Sequence, residues 1–161
     1  MSVTHVHKDL DQLTLTLVAD FAASTERVWQ LWADPRQLER WWGPPTYPAT
    51  VEEHDLSPGG QVTYFMTGPE GEKYRGWWRI STVEPPSSLE FTDGFADDSG
   101  TPATDMPVTT MRVSLTAYEG GTRMELRSVF DSREDLDRLV TMGMEEGLQQ
   151  AVGQMDGLLA G

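Results

Sequence analysis

An apolar stripe along the C-terminal segment constrains the fold more than any other feature of this sequence. No proline interrupts residues 132–159, and Ser132 with Asp135 three residues later resembles a helix capping box. One helix of this length would span about 40 Å, so it requires a large concave apolar partner. Apolar side chains recur at helical spacing at Leu136, Leu139, Val140, Met144, Leu148, Ala151, Val152, Met155, Leu158 and Leu159.

Strands are the only segments that could form this partner. Two short helices, with Ser24 and Asp34 as N-caps, follow the first strand. Because a long sheet twists, we predict an α+β fold in which a curved antiparallel sheet of about seven strands wraps the last helix. Period-two alternation and turns rich in Gly and Pro predict strands over 13–21, 49–56, 61–67, 73–83, 89–93, 108–118 and 122–130.

The chain has 161 residues, the usual size of one domain. We expect a flexible, polar tail over residues 1–12 and a single domain over residues 13–160. The sequence contains no cysteine, which excludes thiolate catalysis and zinc–sulfur sites, and we expect a cytoplasmic location. There is no apolar signal-peptide core, and no apolar run approaches the roughly 20 residues that span a membrane.

The charge and the titratable residues exclude several function classes. A net charge of −14 repels phosphate backbones, so we expect no nucleic-acid partner. We also expect no cofactor and no metal: His5 and His7 could chelate an ion, but no further ligand is identifiable. His54 is interpreted as a solvent-facing residue at a strand end rather than a general base. Phosphate-binding loops and serine-nucleophile motifs are absent, so we assign no catalytic residue.

Four stretches of the sequence together carry a family resemblance. They are STERVWQLWADPRQLERWWGP (24–44), HDLSPGGQVTY (54–64), RGWWRISTVEPPSSLEFT (75–92) and TTMRVSLTAYEGGTRMEL (109–126). In order and spacing they resemble the START-like superfamily, and within it the group named after the activator of heat-shock protein 90 ATPase. The resemblance covers residues 13–160. It implies the helix-grip fold, with an apolar cavity between the sheet and the last helix, and carries over no universal catalytic residue.

The predicted cavity lining comes from inward strand positions and from the last helix. Glycine inside a helix costs about 1 kcal/mol relative to alanine, so Gly143 and Gly147 suggest room for a ligand, although a plain apolar core would use the same residues. We expect Tyr64 and any inward-facing strand carboxylate to orient the ligand. The predicted lining residues are Tyr64, Met66, Trp78, Phe91, Met111, Val113, Met124, Leu126, Gly143, Met144, Gly147, Leu148 and Ala151.

Trp77 points to the opposite face of its strand from Trp78, between Arg75 and Arg79. An exposed tryptophan flanked by arginines favours a partner contact or a cation–π stack. Packing under a loop is the alternative. We therefore name Arg75, Trp77 and Arg79 as candidate partner-contact residues.

These patterns favour binding of a small apolar or amphipathic molecule, with no catalysis or only weak catalysis. A chaperone-associated protein-binding module is one alternative, and a flat apolar patch around Trp77 would favour it. A cavity enzyme of the cyclase or hydrolase type is another, and a buried carboxylate or histidine with a shifted pKa would favour that. A homodimer and a chaperone partner both remain open. The loop over 97–107 has few apolar anchors and is predicted to be a mobile gate.

Overall fold

The alternating segments form one curved antiparallel sheet, which a computed structural model describes together with the helices over residues 3–160. The strands are β1 (Val3–Asp9), β2 (Thr14–Phe21), β3 (Ala49–His54), β4 (Gln61–Thr67), β5 (Lys73–Glu84), β6 (Ser88–Ala96), β7 (Thr109–Tyr118) and β8 (Gly121–Phe130). Their order across the sheet is β1-β2-β8-β7-β6-β5-β4-β3. The helices are α1 (Thr25–Ala33), α2 (Pro35–Leu38), α3 (Arg133–Thr141), α4 (Met144–Gly153) and α5 (Met155–Leu159).

The sheet has eight strands, so the predicted number of about seven is too low. The additional strand, β1, lies within the segment expected to be a flexible tail; residues 1 and 2 of that segment lie outside the described residues. Val3 and Val6 both pack against the core although they are three residues apart, because a register shift between Val3 and His5 interrupts the alternation. Such a bulge hides the period-two pattern from a reading of the sequence alone.

The C-terminal segment is helical as predicted, but it is divided rather than continuous. Gly143 adopts φ +96°, in the left-handed region that side chains disfavour, and separates α3 from α4. A second division falls at Gln154, between α4 and α5. The segments pack on different elements: α3 on β8, α4 on β1 and β2, and α5 on α1.

Tryptophans from the α1–α2 region fill much of the concave side of the sheet. Trp41 is fully buried, and its indole Nε1–H donates to the carbonyl oxygen of Leu31 at 2.8 Å. The Trp42 ring meets the Trp78 ring edge-on at 4.8 Å between centroids, and Trp78 stacks on Phe91 at 4.0 Å. This aromatic cluster bounds one end of the space between the concave face of the sheet and the C-terminal helices.

Two polar side chains tie the C-terminal helices to this aromatic cluster. Gln154 Nε2 donates to the carbonyl oxygens of Gly43, at 2.7 Å, and Trp41, at 3.2 Å. Arg27 donates to the carbonyl oxygen of Leu158 at 2.9 Å. Helix α5 is thus held near both of its ends. The α3–α4 junction lies over β4, β6 and β7. Within residues 3–160 there is no helix with the length and hydropathy that crossing a membrane requires.

Candidate functional site

A pocket of about 270 Å³ lies between the inner face of the sheet and the α3–α4 junction. Strands β4, β6 and β7 form its floor, and the segment after α2 forms one wall. Apolar side chains dominate it, as in most small-molecule sites. Its lining residues are Trp42, Pro44, Tyr64, Met66, Asp93, Gly94, Phe95, Thr109, Met111, Leu139, Met142, Gly143, Met144, Gly147 and Leu148.

The floor of the pocket carries one polar pair, Tyr64 and Asp93. The Tyr64 hydroxyl donates to Asp93 Oδ1 at 3.2 Å. Asp93 follows Phe91 by two residues on β6, so the alternation directs both side chains to the concave face. The Tyr64 ring crosses β5 above Gly76, where a Cβ would overlap the ring. A glycine at position 76 is therefore what allows the two side chains to meet.

Burial changes the acid–base behaviour of this pair. It raises the pKa of Asp93 to about 7, while the hydrogen bond from Tyr64 acts in the opposite direction. Burial also raises the pKa of Tyr64 well above its usual range, and the neighbouring Asp93 charge adds to this. The indole N–H groups of Trp42 and Trp78 oppose that rise. Tyr64 is therefore neutral at physiological pH, whereas Asp93 changes its charge there.

The indole N–H groups of Trp32, Trp42 and Trp78 are buried, and they have no hydrogen-bond partner within residues 3–160. Unpaired buried donors are uncommon in folded proteins. Two of them belong to Trp42 and Trp78, whose ring centroids lie 6.1 and 6.3 Å from that of Tyr64.

The two helix glycines serve different purposes. Gly143 is required by its backbone conformation, since φ is +96°. Gly147 lies inside α4, and a Cβ built there would meet nothing within 4 Å. It faces the pocket and leaves it open where a larger residue would extend into it. The sequence suggested that both glycines leave room for a ligand. For Gly143, the left-handed backbone conformation explains the glycine instead.

A wider depression of about 760 Å³ adjoins the pocket and shares Met66, Phe95 and Gly147 with it. Unlike the pocket, it has charged walls, formed by Lys73, Arg75, Asp98 and Glu146. The loop predicted to be a gate contributes to this outer wall through Asp98, Ala103 and Met106.

The predicted lining residues fall into two groups. Tyr64, Met66, Met111, Gly143, Met144, Gly147 and Leu148 line the pocket. The others do not border the pocket, because aromatic rings from the α1–α2 region and the C-terminal helices cover the middle of the sheet. They are at most 1% exposed: Trp78, Phe91, Val113, Met124, Leu126 and Ala151.

The sequence reading missed several lining residues, Asp93 above all. The predicted strand ended at position 93, yet Asp93 continues the inward series of Leu89 and Phe91, and this was the available signal. Trp42 lies after a short helix, where no periodicity indicates its direction. The missed lining residues are Trp42, Pro44, Asp93, Gly94, Phe95, Thr109, Leu139 and Met142.

Trp77 lies on the convex face and is half-buried. Its Nε1–H donates to the carbonyl oxygen of Phe95 at 2.9 Å, and its ring covers Gly94, where a Cβ would overlap it. Arg75 is bonded to Glu52 at 2.8 Å, whereas Arg79 is exposed. The outer tryptophan is thus packed against its own sheet and remains partly exposed.

The histidines do not contribute to the pocket. His54 is partly buried rather than solvent-facing, and its Nε2 lies 3.0 Å from the carbonyl oxygen of Trp32. Because a carbonyl can only accept, Nε2 carries the proton. His5 and His7 lie on β1, and residues 3–160 contain no group of three or more His, Asp or Glu side chains arranged to hold a metal ion.

Comparison with known proteins then assigns the family. Residues 22–160 match the model of the family described as Activator of Hsp90 ATPase homolog 1-like protein, AHSA1. The chain belongs to the AHSA1 family. No curated protein matches the sequence.

Solved structures related to this AHSA1-family chain share its whole architecture. Protein Ms6760 from Mycobacterium smegmatis is 54% identical, with a TM-score of 0.91 over 98% of this chain and 96% of its own. A protein from Arthrobacter aurescens is 50% identical, with a TM-score of 0.95 over 99% and 92%. The AHSA1 protein from Silicibacter pomeroyi is 25% identical, with a TM-score of 0.73 over 91% and 97%. The helix-grip architecture thus extends to distant family members.

Proposed function

We propose that this AHSA1-family protein binds a small apolar or amphipathic molecule in the pocket beneath the α3–α4 junction. The observation that carries the proposal is the position of Gly147, a helix-interior glycine that faces open space at the pocket wall. Glycine at this position destabilises the helix by about 1 kcal/mol relative to alanine. A ligand that occupies the open space would explain why glycine is present despite this cost.

The chemistry of the lining supports the same proposal. Met66, Met111 and Met144 have flexible, polarizable side chains that adapt to different apolar shapes. Each methylene group that a ligand buries contributes about 0.8 kcal/mol, offset in part by the entropy lost on binding. Tyr64 and Asp93 supply the few polar atoms that orient a ligand in such a site.

Titration calorimetry with 1-octanol tests the proposal. The wild type should bind saturably at one site, and Gly147→Leu should weaken binding at least tenfold because leucine occupies the pocket. Gly153→Leu is the matched control: it lies in the same helix and also faces open space, but not the pocket. Equal affinity of all three proteins, or no binding by the wild type, would contradict the proposal.

Catalysis is a second candidate, and Asp93 is the observation in its favour. A carboxyl group in a pocket, with a pKa near neutrality, is suited to accept and return a proton. If this candidate holds, a molecule that co-purifies from the natural host is converted by the wild type and is bound but left unchanged by Asp93→Asn. Equal conversion by both proteins would exclude Asp93 as the acid–base group.

A chaperone-associated role is a third candidate, suggested by the family description. The surface that we assign to it is the convex face at Arg75, Trp77 and Arg79, with a cytoplasmic chaperone as partner. Arg79→Glu should weaken binding to an Hsp90-type chaperone without changing 1-octanol affinity. The proposal of a homodimer is tested by sedimentation of the free protein.

A further inference from the structure

Asp93 is the one charged residue among the described side chains that line the pocket. Tyr64 hydrogen-bonds Asp93 Oδ1 but brings no positive charge. The residues paired with Asp93 on the adjacent strands, Trp78 on β5 and Thr109 on β7, are also uncharged. Carboxylates in protein interiors are normally matched by a cation or by several donors. The pocket therefore contains an anionic site that its own lining does not neutralise.

Three aromatic residues, Trp42, Tyr64 and Phe95, line the pocket together with this carboxylate. Trp42 and Tyr64 stand edge-to-face with centroids 6.1 Å apart, and Phe95 follows Asp93 by two residues on the same face of β6. A carboxylate enclosed by aromatic rings is complementary to an organic cation, because ring faces attract positive charge most strongly where water is excluded. Methionine thioethers complete the walls without adding competing charge.

From this arrangement we propose that the pocket selects an apolar amine, with its ammonium group at Asp93 between Trp42, Tyr64 and Phe95 and its hydrocarbon part along the methionines and Gly147. The inference rests on the proposed binding function and names the ligand class. It also excludes fatty acids as preferred ligands, because a carboxylate head would be repelled by Asp93 and would find no basic residue in the lining. The chain's net charge of −14 favours the approach of cations.

The outer depression does not reverse this preference. Both of its basic residues already have interaction partners. Arg75 forms a salt bridge with Glu52 at 2.8 Å, and the Lys73 ammonium lies over the Phe65 ring, 4.5 Å from its centroid. Asp98 and Glu146 balance their charge at the same opening. Selection by charge therefore takes place inside the pocket, at Asp93.

A matched series of ligands tests the inference: octylamine, 1-octanol and octanoate have the same hydrocarbon chain and differ in the head group. Calorimetry at about pH 8 on the wild type should give octylamine at least tenfold tighter binding than 1-octanol, with octanoate weakest. Asp93→Asn keeps the size of the side chain and an acceptor for Tyr64 but removes the charge. It should bind octylamine and 1-octanol equally.

The pH dependence of the wild type provides a readout that does not depend on a variant folding. Octylamine stays protonated throughout, while Asp93 gains its charge as the pH rises through about 7. The affinity of the protein for octylamine should therefore increase about tenfold between about pH 6 and pH 8. Its affinity for 1-octanol should not change over this interval. If 1-octanol binds as tightly as octylamine, or octanoate binds best, the amine inference is wrong and the proposed function stands. If none of the three binds, both are wrong.

Discussion

The Tyr64 hydroxyl reaches Asp93 Oδ1 at 3.2 Å although the two residues lie on strands that are not neighbours in the sheet. Strand β5 separates them, and the tyrosine ring crosses it above Gly76. The pair therefore depends on three consecutive strands in register and on one position without a side chain. It is the polar centre of a mainly apolar pocket.

Replacing Asp93 with asparagine should make the free energy of unfolding less dependent on pH. Asp93 has a pKa of about 7 in the folded chain, against an ordinary value of 3.8. Between these values the folded chain retains a proton that the unfolded chain has lost, so stability decreases as pH rises, by up to about 4 kcal/mol.

Urea unfolding at about pH 5 and pH 8 measures this effect. The wild type should lose stability over the interval, and Asp93→Asn should lose clearly less. Because the two proteins differ only at position 93, the difference between them isolates the contribution of Asp93. An identical decrease in both would show that Asp93 is ionised throughout.

Removal of the Tyr64 hydroxyl should raise the pKa of Asp93 further. The hydrogen bond from Tyr64 stabilises the ionised carboxylate and so opposes the effect of burial. Carbon-13 NMR of the aspartate carboxyl groups should give a higher pKa for Asp93 in Tyr64→Phe than in the wild type. Tyr74→Phe is the control, since Tyr74 is 54% exposed and is not among the residues that line the pocket. A lower pKa in Tyr64→Phe would mean that the hydroxyl does not donate to Asp93.

Filling the space at Gly147 should not destabilise the protein. Leucine replaces a helix-interior glycine, which favours the helix by about 1 kcal/mol, and its side chain enters open space. Thermal unfolding should show an unchanged or higher melting temperature for Gly147→Leu, similar to that of Gly153→Leu. A decrease of several degrees for Gly147→Leu alone would indicate a dense core, because overpacking costs about 1–3 kcal/mol.

The loop over 97–107 should exchange its amide hydrogens faster than β7. Asp97 accepts hydrogen bonds from Ser99 and Thr101 within the loop, and Arg138 holds it from α3 by donating to the carbonyl oxygen of Asp105 at 3.2 Å. These side-chain contacts are exposed, although the backbone N–H of Ala103 also donates to the carbonyl oxygen of Phe95 at 2.8 Å. Hydrogen exchange should therefore show weak protection without ligand and slower exchange with 1-octanol bound. Strong protection in the free protein would exclude a gate.

Much of this architecture could be predicted from the sequence, and the failures have physical causes. Strands with clean alternation, such as β7 and β8, were located to within a residue or two. In β1 a bulge displaces Val3 relative to Val6, and the strand was missed. The break at Gly143 was missed because apolar spacing continues across it, although the backbone there is left-handed.

The candidate site was harder to predict because it depends on which part of the concave face stays uncovered. Trp78 and Met111 both lie on the inner face, yet the Trp42 ring packs onto Trp78 and makes it core, whereas Met111 borders the pocket. Such differences are set by contacts between residues distant in sequence. Tyr64 was identified by its inward position, while its partner Asp93 required the structure.

Methyl NMR of the methionines gives the most direct test of whether the pocket binds an apolar ligand. Met66, Met111 and Met144 line the pocket, whereas Met124 and Met155 do not; Met111 is as fully buried as these two, so contact with the pocket and not burial separates the groups. In a titration with 1-octanol, the methyl signals of the three pocket methionines should shift saturably, and those of the two core methionines should remain in place. Saturable binding without shifts at the pocket methionines, or an absence of any saturable shift, would contradict the account.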